Sequence, residues 1–543
     1  MIKKEIGMGK IQLLDCTLRD GGYLNDWKFG HDNMVTIFER LVSAGMDIVE
    51  IGFLDDRRPY DRDRSILPDT ASTRKTYGEL DRKDSMIVGM IDYGTCSIDH
   101  VEECSDSFLD GIRVIFKKEK MHAAIDFCTQ IKAKGYKTFV QAVSITSYSD
   151  AEFKELTDMV NELEPYAFSL VDTYGLLHKQ QLAHYFNMAD EQLKETIGLG
   201  YHAHNNFQLA YANCIEVLEK DLKRRLIVDG TLYGMGKSAG NAPTELLAMY
   251  MNGNNEKHYH TSQLLEAIDV TMLDLYERMP WGYRFKFFLS ASNDCHPNYV
   301  TYLQQKKSLS VKSINEILSR IEPEKKLLYD ETYIEKLYLD YQSRDCEDHA
   351  AYRDLIKELS GREILVMAPG PNLYRQKDLV ETCLKERPGT LTIAVNFVPE
   401  GFEQSPDYLF LFNAKRYTGM ATAVSVLQKN TKTKIVATSN VTSAGTDFDM
   451  VLNYERLLDH EAQIRENPLF FLLDLFRDAD VRHIALAGFD GYQLAAETNY
   501  VHENMEYGFT KEKADAINED VKNALVRSGL LDKITFVTDS LYV

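Results

Sequence analysis

The 543-residue chain lacks the features of secreted and membrane proteins. Its eight cysteines are scattered without a C-x-x-C pair, so we expect reduced thiols and no disulfide framework. No stretch approaches the roughly 18 uninterrupted apolar residues of a membrane helix. The opening stretch MIKKEIGMGKIQLLD carries charge but no apolar segment of a signal peptide. These absences predict a cytoplasmic protein without a membrane partner.

Basic residues are also in short supply. Lys and Arg number 62 against 83 Asp and Glu, which gives a formal net charge of -21. This charge disfavours binding to a phosphate backbone, so we expect no nucleic-acid partner.

A hydrophobic fraction of 44% supplies enough apolar surface for a sizeable core. At about 150 residues per domain the length indicates three or four domains, or fewer if one is a large barrel.

Short apolar or β-branched runs alternate with helix-like segments through the first 235 residues. Parallel strands need helix-length returns, so eight such units predict a (β/α)8 barrel over residues 1–255. An open doubly wound sheet is the alternative, since spacing alone does not prove closure. The runs are Ile11–Leu14, Asp47–Phe53, Met86–Ile91, Gly111–Phe116, Lys137–Val143, Ala167–Val171, Ile197–His202 and Leu226–Leu232.

The pattern changes after the barrel. Residues 256–348 are predicted to form a helical extension with long helical stretches at Thr261–Arg278 and Ser313–Tyr341. Alternation of strand and helix then restarts, which predicts a Rossmann-like α/β domain with an open sheet over residues 349–543. Its candidate strands are Ile364–Ala368, Leu391–Asn396, Tyr408–Phe412, Lys434–Thr438, His483–Gly488 and Lys533–Val537.

Polar side chains cluster where the predicted barrel strands end, which is where the active site of such a barrel lies. Two histidines two residues apart on a strand face the same side. Together with a carboxylate from another strand they would give a metal three protein ligands and leave coordination positions for the substrate, as in catalytic metal sites. Each motif alone also fits a surface ion pair or a hydrogen-bonded histidine pair, but their shared end of the barrel favours one site. The motifs are DCTLRDGG with Arg19 and Asp20, IVEIGF with Glu50, YHAHNN with His202 and His204, and GMGKSAGN with Asn241.

DCTLRDGG, IVEIGF, DTYG, HAHNN and GMGKSAGN occur in the order and spacing of the DRE-TIM metallolyase superfamily, which includes HMG-CoA lyase. The stretch GMGKSAGNAPTELL most resembles 4-hydroxy-2-oxoacid aldolases such as 4-hydroxy-2-oxovalerate aldolase. The resemblance implies that Mn2+, or else Mg2+, Co2+ or Zn2+, binds to a set formed by Asp20, His202 and His204, with Asn241 near it or as a further ligand. It also implies catalytic roles for Arg19, Glu50 and Asp172.

The implied reaction forms or cleaves a 4-hydroxy-2-oxoacid through an enolate, which a metal and a guanidinium such as that of Arg19 can stabilise. The family aldolases take the hydroxyl proton with a His just after RDG, whereas this chain has Tyr23 there. A tyrosine has a reference pKa near about 10 and is a poor base at neutral pH. Tyr23 therefore acts with a lowered pKa, the proton goes to water or another residue, or the substrate differs.

Further residues near the strand ends are candidates for binding a carboxylate or phosphate of the substrate. They are Arg113, Gln141, Gly236 and Lys237, with solvated loop residues as the alternative interpretation. The expected partners are a small 2-oxoacid or aldehyde substrate and a second copy of the chain in a homo-oligomer. The resemblance also implies an aldehyde dehydrogenase partner.

The second domain contains ILVMAPGPNLYRQKDLV, which predicts a strand, a turn and a helix whose first N–H groups could hold an anion. The stretch lacks the third glycine of a dinucleotide fingerprint and the lysine of a P-loop. With TIAVNF and ALAGFDGY, the order loosely resembles Rossmann-like proteins of the bacterial sialyltransferase type, which use nucleotide-sugars. That resemblance implies a nucleotide pocket lined by Gly370, Asn372, Asn396 and Asp490, with a purely structural module as the alternative.

The sequence thus favours a metal-dependent aldolase-type lyase, with two rivals. One is a Claisen-type condensation of an acyl-CoA with a 2-oxoacid on the same barrel, which consumes acetyl-CoA. The other is a nucleotide-sugar-binding or glycosyl-transfer protein with a degenerate barrel, for which Tyr23 is the main support.

Overall fold

The computed structural model describes residues 11–254, 258–306, 309–326, 328–342, 346–441, 447–459, 461–462, 466–494, 499–501, 505 and 510–543. The chain forms two compact units, Met1–Pro297 and Asn298–Val543. The division falls inside the segment predicted as a helical extension. Among the described residues, no helix is long and apolar enough to cross a membrane.

The first unit is a TIM barrel. Its first strand, β1 (Ile11–Asp15), pairs in parallel with β9 (Leu226–Gly230) on one side and with β2 (Ile48–Leu54) on the other, so the sheet closes on itself. This closure confirms the predicted barrel and excludes the open sheet. The two-residue strand β3 lies outside the ring and was not predicted. The strands are β1 (Ile11–Asp15), β2 (Ile48–Leu54), β3 (Ile66–Leu67), β4 (Met86–Asp92), β5 (Gly111–Phe116), β6 (Lys137–Ala142), β7 (Ala167–Asp172), β8 (Gly198–Ala203) and β9 (Leu226–Gly230).

Helices surround the barrel, and the longer ones bury an apolar face. In His31–Ser43 the buried residues Met34, Ile37, Phe38 and Leu41 recur at helical spacing, which places them on the face toward the strands. The remaining helices of this unit include Thr17–Asp20, Gly22–Asn25, Ala71–Tyr77, Met121–Ala133, Asp150–Leu163, Lys179–Gln192, Ala210–Leu218, Thr244–Asn254, Thr261–Ala267, Leu273–Arg278 and Phe285–Ser292. A π-helical turn, Ile268–Met272, joins two of them, so Thr261–Arg278 is helical throughout as predicted.

The second unit contains an open parallel sheet in the order β14-β13-β12-β11-β10-β15-β16. Consecutive strands extend from β10 in one direction and β15 lies on its other side, so the winding reverses beside β10. The short strand β14 was not predicted. The strands are β10 (Glu363–Met367), β11 (Leu391–Val395), β12 (Tyr408–Leu411), β13 (Lys434–Thr438), β14 (Met450–Leu452), β15 (His483–Ala487) and β16 (Ile534–Phe536).

Helices of the second unit precede and flank this sheet. The predicted continuous helix Ser313–Tyr341 is wrong, because Glu322 is extended and Pro323 begins a short 3-10 turn. Two separate helices, Val311–Leu318 and Glu331–Gln342, form there instead. The others are Pro297–Gln305, His349–Leu359, Asn372–Arg375, Lys377–Glu386, Ala414–Asn430, Pro468–Asp478 and Lys511–Arg527.

Candidate metal centre and active site

Three predicted metal ligands meet at the carboxyl ends of the barrel strands. Asp20 ends the short helix after β1, His202 lies in β8, and His204 follows β8. Nε2 of His202 lies 3.5 Å from Oδ2 of Asp20, and Nε2 of His204 lies 3.8 Å from the same oxygen. All three residues are at most 4% exposed. Their ligand atoms are therefore close enough to share one cation.

Hydrogen bonds at the far ring nitrogens orient both imidazoles. Nδ1 of His202 lies 3.0 Å from Oδ2 of Asp229, and Nδ1 of His204 lies 3.1 Å from the carbonyl oxygen of Lys237. With Nδ1 as the donor in each ring, both Nε2 atoms are left with lone pairs for a metal. Nε2 of His202 is buried and has no hydrogen-bond partner among the described residues.

The electrostatics of the two histidines differ. Burial lowers the pKa of His204 to about 3, so this ring is neutral, as a metal ligand must be. Burial also disfavours the charged form of His202, but the nearby carboxylates of Asp20 and Asp229 outweigh it and raise its pKa. These two carboxylates favour a proton on Nε2, which a metal bound at that atom would replace.

Asn241 supplies a fourth potential ligand. Its Nδ2 donates to Oδ1 of Asp20 at 3.0 Å, while its Oδ1 is buried and has no partner in the described part of the chain. Gly236 permits this approach, because a Cβ there would lie 2.2 Å from Nδ2 of Asn241 and 2.7 Å from Oδ1 of Asp20. A carboxylate oxygen, two imidazole nitrogens and an amide oxygen suit a divalent cation such as Mn2+. The residues present fit the metal that the sequence predicted.

A ring of buried ion pairs supports these ligands. Arg19 pairs with Asp20 and donates from Nε to Glu50 at 2.8 Å. The same Glu50 oxygen lies 3.1 Å from Nη1 of Arg113, which also pairs with Asp229. Since Asp229 contacts His202, the ring of contacts returns to Asp20.

Two predicted substrate residues belong to this interior network. Arg113 is 1% exposed and lies in the middle of β5. Gln141, in β6, accepts a hydrogen bond from Arg113 at 3.0 Å and donates to Ser169 at 2.8 Å. The structure therefore places both side chains inside the barrel, where Arg113 pairs with Glu50 and Asp229, and Gln141 bonds to Arg113.

Asp172 ends β7 and is also engaged by its own loop. Its carboxylate accepts hydrogen bonds from the backbone N–H groups of Leu176 at 2.8 Å and Leu177 at 3.1 Å. Burial raises its pKa to about 6. The structure thus gives Asp172 a role in shaping the loop after β7.

Tyr23 and Lys237 lie together beside the ligands. Nζ of Lys237 is 5.2 Å from the ring centroid of Tyr23, whose ring also packs edge-on against Trp27. Although the Tyr23 residue is 39% exposed, the surrounding protein desolvates its phenol and raises its pKa. The backbone N–H of Lys237 donates to Oδ1 of Asp20 at 2.8 Å, so this residue also orients a ligand through its main chain.

Sequence reasoning missed Asp229. The residue lies in β9, within the run LIVDG, and is 2% exposed. A single acid inside an apolar strand is the signal that could have identified it, because a buried carboxylate needs a charged or hydrogen-bonding partner.

The fold and these contacts are those of a TIM barrel with a candidate divalent-metal site, and the family match and named relatives below support a metal-dependent lyase. Residues 10–271, just under half of the chain, match the HMGL-like family model, which supports the predicted resemblance of the barrel to the DRE-TIM metallolyase superfamily. The match ends near the first unit's last helices, so it does not extend to the second sheet.

Relatives of known name match the same half of the chain. An oxaloacetate decarboxylase of Mycobacterium tuberculosis is 24% identical over 276 residues, which cover 50% of this chain and 78% of the relative. The 4-hydroxy-2-oxovalerate aldolase 2 of Salinispora arenicola is 25% identical over 264 residues, covering 48% and 73%. A solved HMG-CoA lyase from Brucella melitensis is 16% identical with a TM-score of 0.40 and covers 50% of this chain and 99% of its own.

In the second unit, three of the four predicted nucleotide-pocket residues line one cavity. Gly370, Asn396 and Asp490 are in its wall. Asn372 lies behind it, with its side-chain amide donating to the carbonyl oxygen of Asp539 at 3.0 Å.

Proposed function

We propose that the barrel is a divalent-metal-dependent carbon–carbon lyase that forms or cleaves a 4-hydroxy-2-oxoacid through a pyruvate-type enolate. The observation that carries this proposal is the set of Asp20, His202 and His204 beside two buried atoms, Nε2 of His202 and Oδ1 of Asn241. Neither atom has a hydrogen-bond partner among the residues that the structure describes. A divalent cation such as Mn2+ bound there supplies a Lewis acid for the 2-oxo group.

Arg19 is the group best placed to stabilise the enolate. Glu50 and Asp20 hold its guanidinium at two edges. Burial opposes its charge, but these carboxylates outweigh the effect and keep its pKa above the usual value. A fixed, permanently charged donor stabilises the negative oxygen that develops when the C3–C4 bond breaks.

Tyr23 favours a second candidate reaction on the same site. Because its pKa is raised, its phenol is neutral at neutral pH and donates a proton or hydrogen bond rather than accepting one. Aldol cleavage needs a base for the 4-hydroxyl proton, whereas decarboxylation of a 2-oxo dicarboxylate needs none. In that reaction the bond between C3 and its carboxylate breaks and CO2 leaves. The electron pair of the broken bond stays with C3 and forms the enolate, and C3 then accepts a proton. One relative is named oxaloacetate decarboxylase.

Lys237 is the residue we assign to an anionic group of the substrate. No carboxylate oxygen of the described residues lies within 4.0 Å of its Nζ. Burial lowers its pKa, so a bound carboxylate would favour its charged form. Its position beside Tyr23 puts the ammonium next to the proposed reacting atoms.

Product analysis of the full chain with Mn2+ tests these assignments. We expect NMR to show pyruvate and acetaldehyde from 4-hydroxy-2-oxovalerate, and pyruvate with CO2 from oxaloacetate would instead support the second candidate.

Lys237→Met should raise KM with little change in Mn2+ affinity, whereas Lys179→Met, in an exposed ion pair, serves as the matched control. Consumption of acetyl-CoA with a 2-oxoacid, without release of pyruvate, would favour the Claisen reaction instead.

A further inference from the structure

The second unit contains a cavity of about 220 Å³ at the carboxyl ends of its strands. Its wall includes Gly370 after β10, Asn396 after β11, Asn413 after β12 and Asp490 after β15. This is the place where the winding of the sheet reverses, and open α/β sheets bind ligands there. Every residue of the wall belongs to this unit.

Asp490 gives the cavity a fixed hydrogen-bond acceptor. Its Oδ2 accepts the backbone N–H of Asn372 at 2.7 Å. Its Oδ1 is buried and has no partner among the residues that the structure describes. The turn that the sequence suggested for an external anion is therefore occupied by this carboxylate, which would also repel a phosphate placed there.

Asn396 gives the cavity a fixed donor. Its Oδ1 accepts the backbone N–H groups of Phe412 at 2.8 Å and Asn413 at 3.2 Å. These two bonds orient the side-chain amide and leave its Nδ2 to serve a ligand. Asn396 is 4% exposed and has φ +59, a left-handed backbone that Asn and Asp adopt more readily than other side chains.

Aromatic side chains form another part of the wall. The rings of Tyr492 and Tyr500 have centroids 6.1 Å apart, and their hydroxyl oxygens lie 3.1 Å apart. Tyr542 and Phe489 also line the cavity. Flat apolar faces with a few fixed polar groups are typical of a site for a small ring compound.

We propose that this cavity binds a polyhydroxylated ring, which is a sugar, either free or as the ribose of a nucleoside. A hydroxyl group both donates and accepts, so neighbouring hydroxyls can serve Oδ1 of Asp490 and Nδ2 of Asn396 together. A phosphate oxygen only accepts and has no use for Asp490. The site is independent of the lyase proposed for the barrel.

The test uses the full chain and saturation-transfer NMR with glucose, ribose, uridine and uridine diphosphate as probes, and inorganic pyrophosphate as the anion control. We expect at least one hydroxylated ring to bind. Asp490→Asn keeps an oxygen for the Asn372 N–H but turns the free acceptor into a donor, and should weaken binding about tenfold or more. Asn396→Asp makes the converse change and should weaken binding as well.

The control variant is Asp532→Asn, on an exposed turn outside the cavity, which should bind like the wild type. Equal thermal unfolding of the variants excludes loss of the fold as the cause. Binding of glucose or ribose alone would identify a free sugar, and binding of the uridine compounds alone would identify a nucleoside.

The proposal is overturned if none of the four ring probes binds, or if binding is unchanged in both Asp490→Asn and Asn396→Asp. Pyrophosphate binding that Asp490→Asn strengthens would make the cavity an anion site and also overturn it. Asp20→Asn, in the barrel, should leave sugar binding unchanged, so failure of the lyase proposal and failure of this one are separate results.

Discussion

Asp229 lies 3.0 Å from Nδ1 of His202 through the same oxygen that pairs with Arg113. This contact joins a candidate metal ligand at the strand ends to the ion pairs inside the barrel. Because Arg113 also contacts Glu50, and Glu50 contacts Arg19, one buried ring of alternating charges holds both the ligands and the proposed enolate-binding group. Rigid support of this kind is what orients metal ligands.

Asp229→Asn should weaken Mn2+ binding about 10- to 100-fold, because the substitution removes the charge that orients and polarises His202. Calorimetric titration of the full chain with Mn2+ measures the effect. Asp158→Asn, whose carboxylate pairs with Lys154 on an exposed helix, is the matched control. Equal Mn2+ affinity in the wild type and Asp229→Asn would show that Asp229 does not position the ligand.

Gly236→Ala should also weaken Mn2+ binding, for a steric reason. The added Cβ would meet Asn241 Nδ2 and Asp20 Oδ1 at distances far below van der Waals contact, so both ligands must move. Gly253→Ala provides the control, since nothing lies within 4 Å of a Cβ there. Metal titration of the two variants compares them, and equal affinities would contradict a cation site that depends on the placement of Asn241 and Asp20.

Arg113→Met should destabilise the barrel by about 3–5 kcal/mol, because it leaves Glu50 and Asp229 as buried charges without this partner. Urea unfolding followed by circular dichroism measures the change. Arg74→Met removes a surface ion pair with Glu102 and should cost at most about 1 kcal/mol. A raised KM with unchanged stability would instead support direct binding of substrate by Arg113.

Asp15→Asn should alter how stability depends on pH. Asp15 accepts hydrogen bonds from Thr17 and Thr244, and burial raises its pKa from 3.8 to about 6. The folded state therefore takes up this proton at higher pH than the unfolded state, which favours folding as the pH falls. Relative to Asp15→Asn, the wild type should gain stability between pH of about 6 and about 4.

Urea unfolding of both proteins at several pH values checks this expectation. The Asn side chain can keep an oxygen for the Thr17 N–H, so the comparison isolates the titrating carboxyl group. A difference that is constant with pH, or that favours the wild type more strongly above pH of about 6, would be inconsistent with a raised pKa.

The sequence predicted the barrel well because each strand is a short apolar run between polar segments. Closure of the ring depends on pairing between β1 and β9, more than 200 residues apart, which spacing could only suggest. The clustering of Asp20, His202 and His204 was predictable because they lie at or just beyond the carboxyl ends of strands. Parallel strands bring such positions to one end of the barrel.

The supporting contacts were harder to predict. Arg113 and Gln141 lie within their strands rather than after them, and the sequence does not show that their side chains find partners inside the barrel. In the second unit, Asp490 caps the helix start at Asn372 across 118 residues. The Asp490 carboxylate therefore fills a turn that the local sequence alone would leave open to an external anion.

Exchange of the C3 protons of pyruvate in deuterated water tests the central claim most directly, because it reports enolate formation without knowledge of the aldehyde. The full chain is compared with and without Mn2+, alongside Asp20→Asn and His202→Ala. The account predicts exchange in the wild type that requires Mn2+ and is lost in both variants. Absence of exchange in the wild type with Mn2+ bound, or equal exchange in the variants, would contradict it.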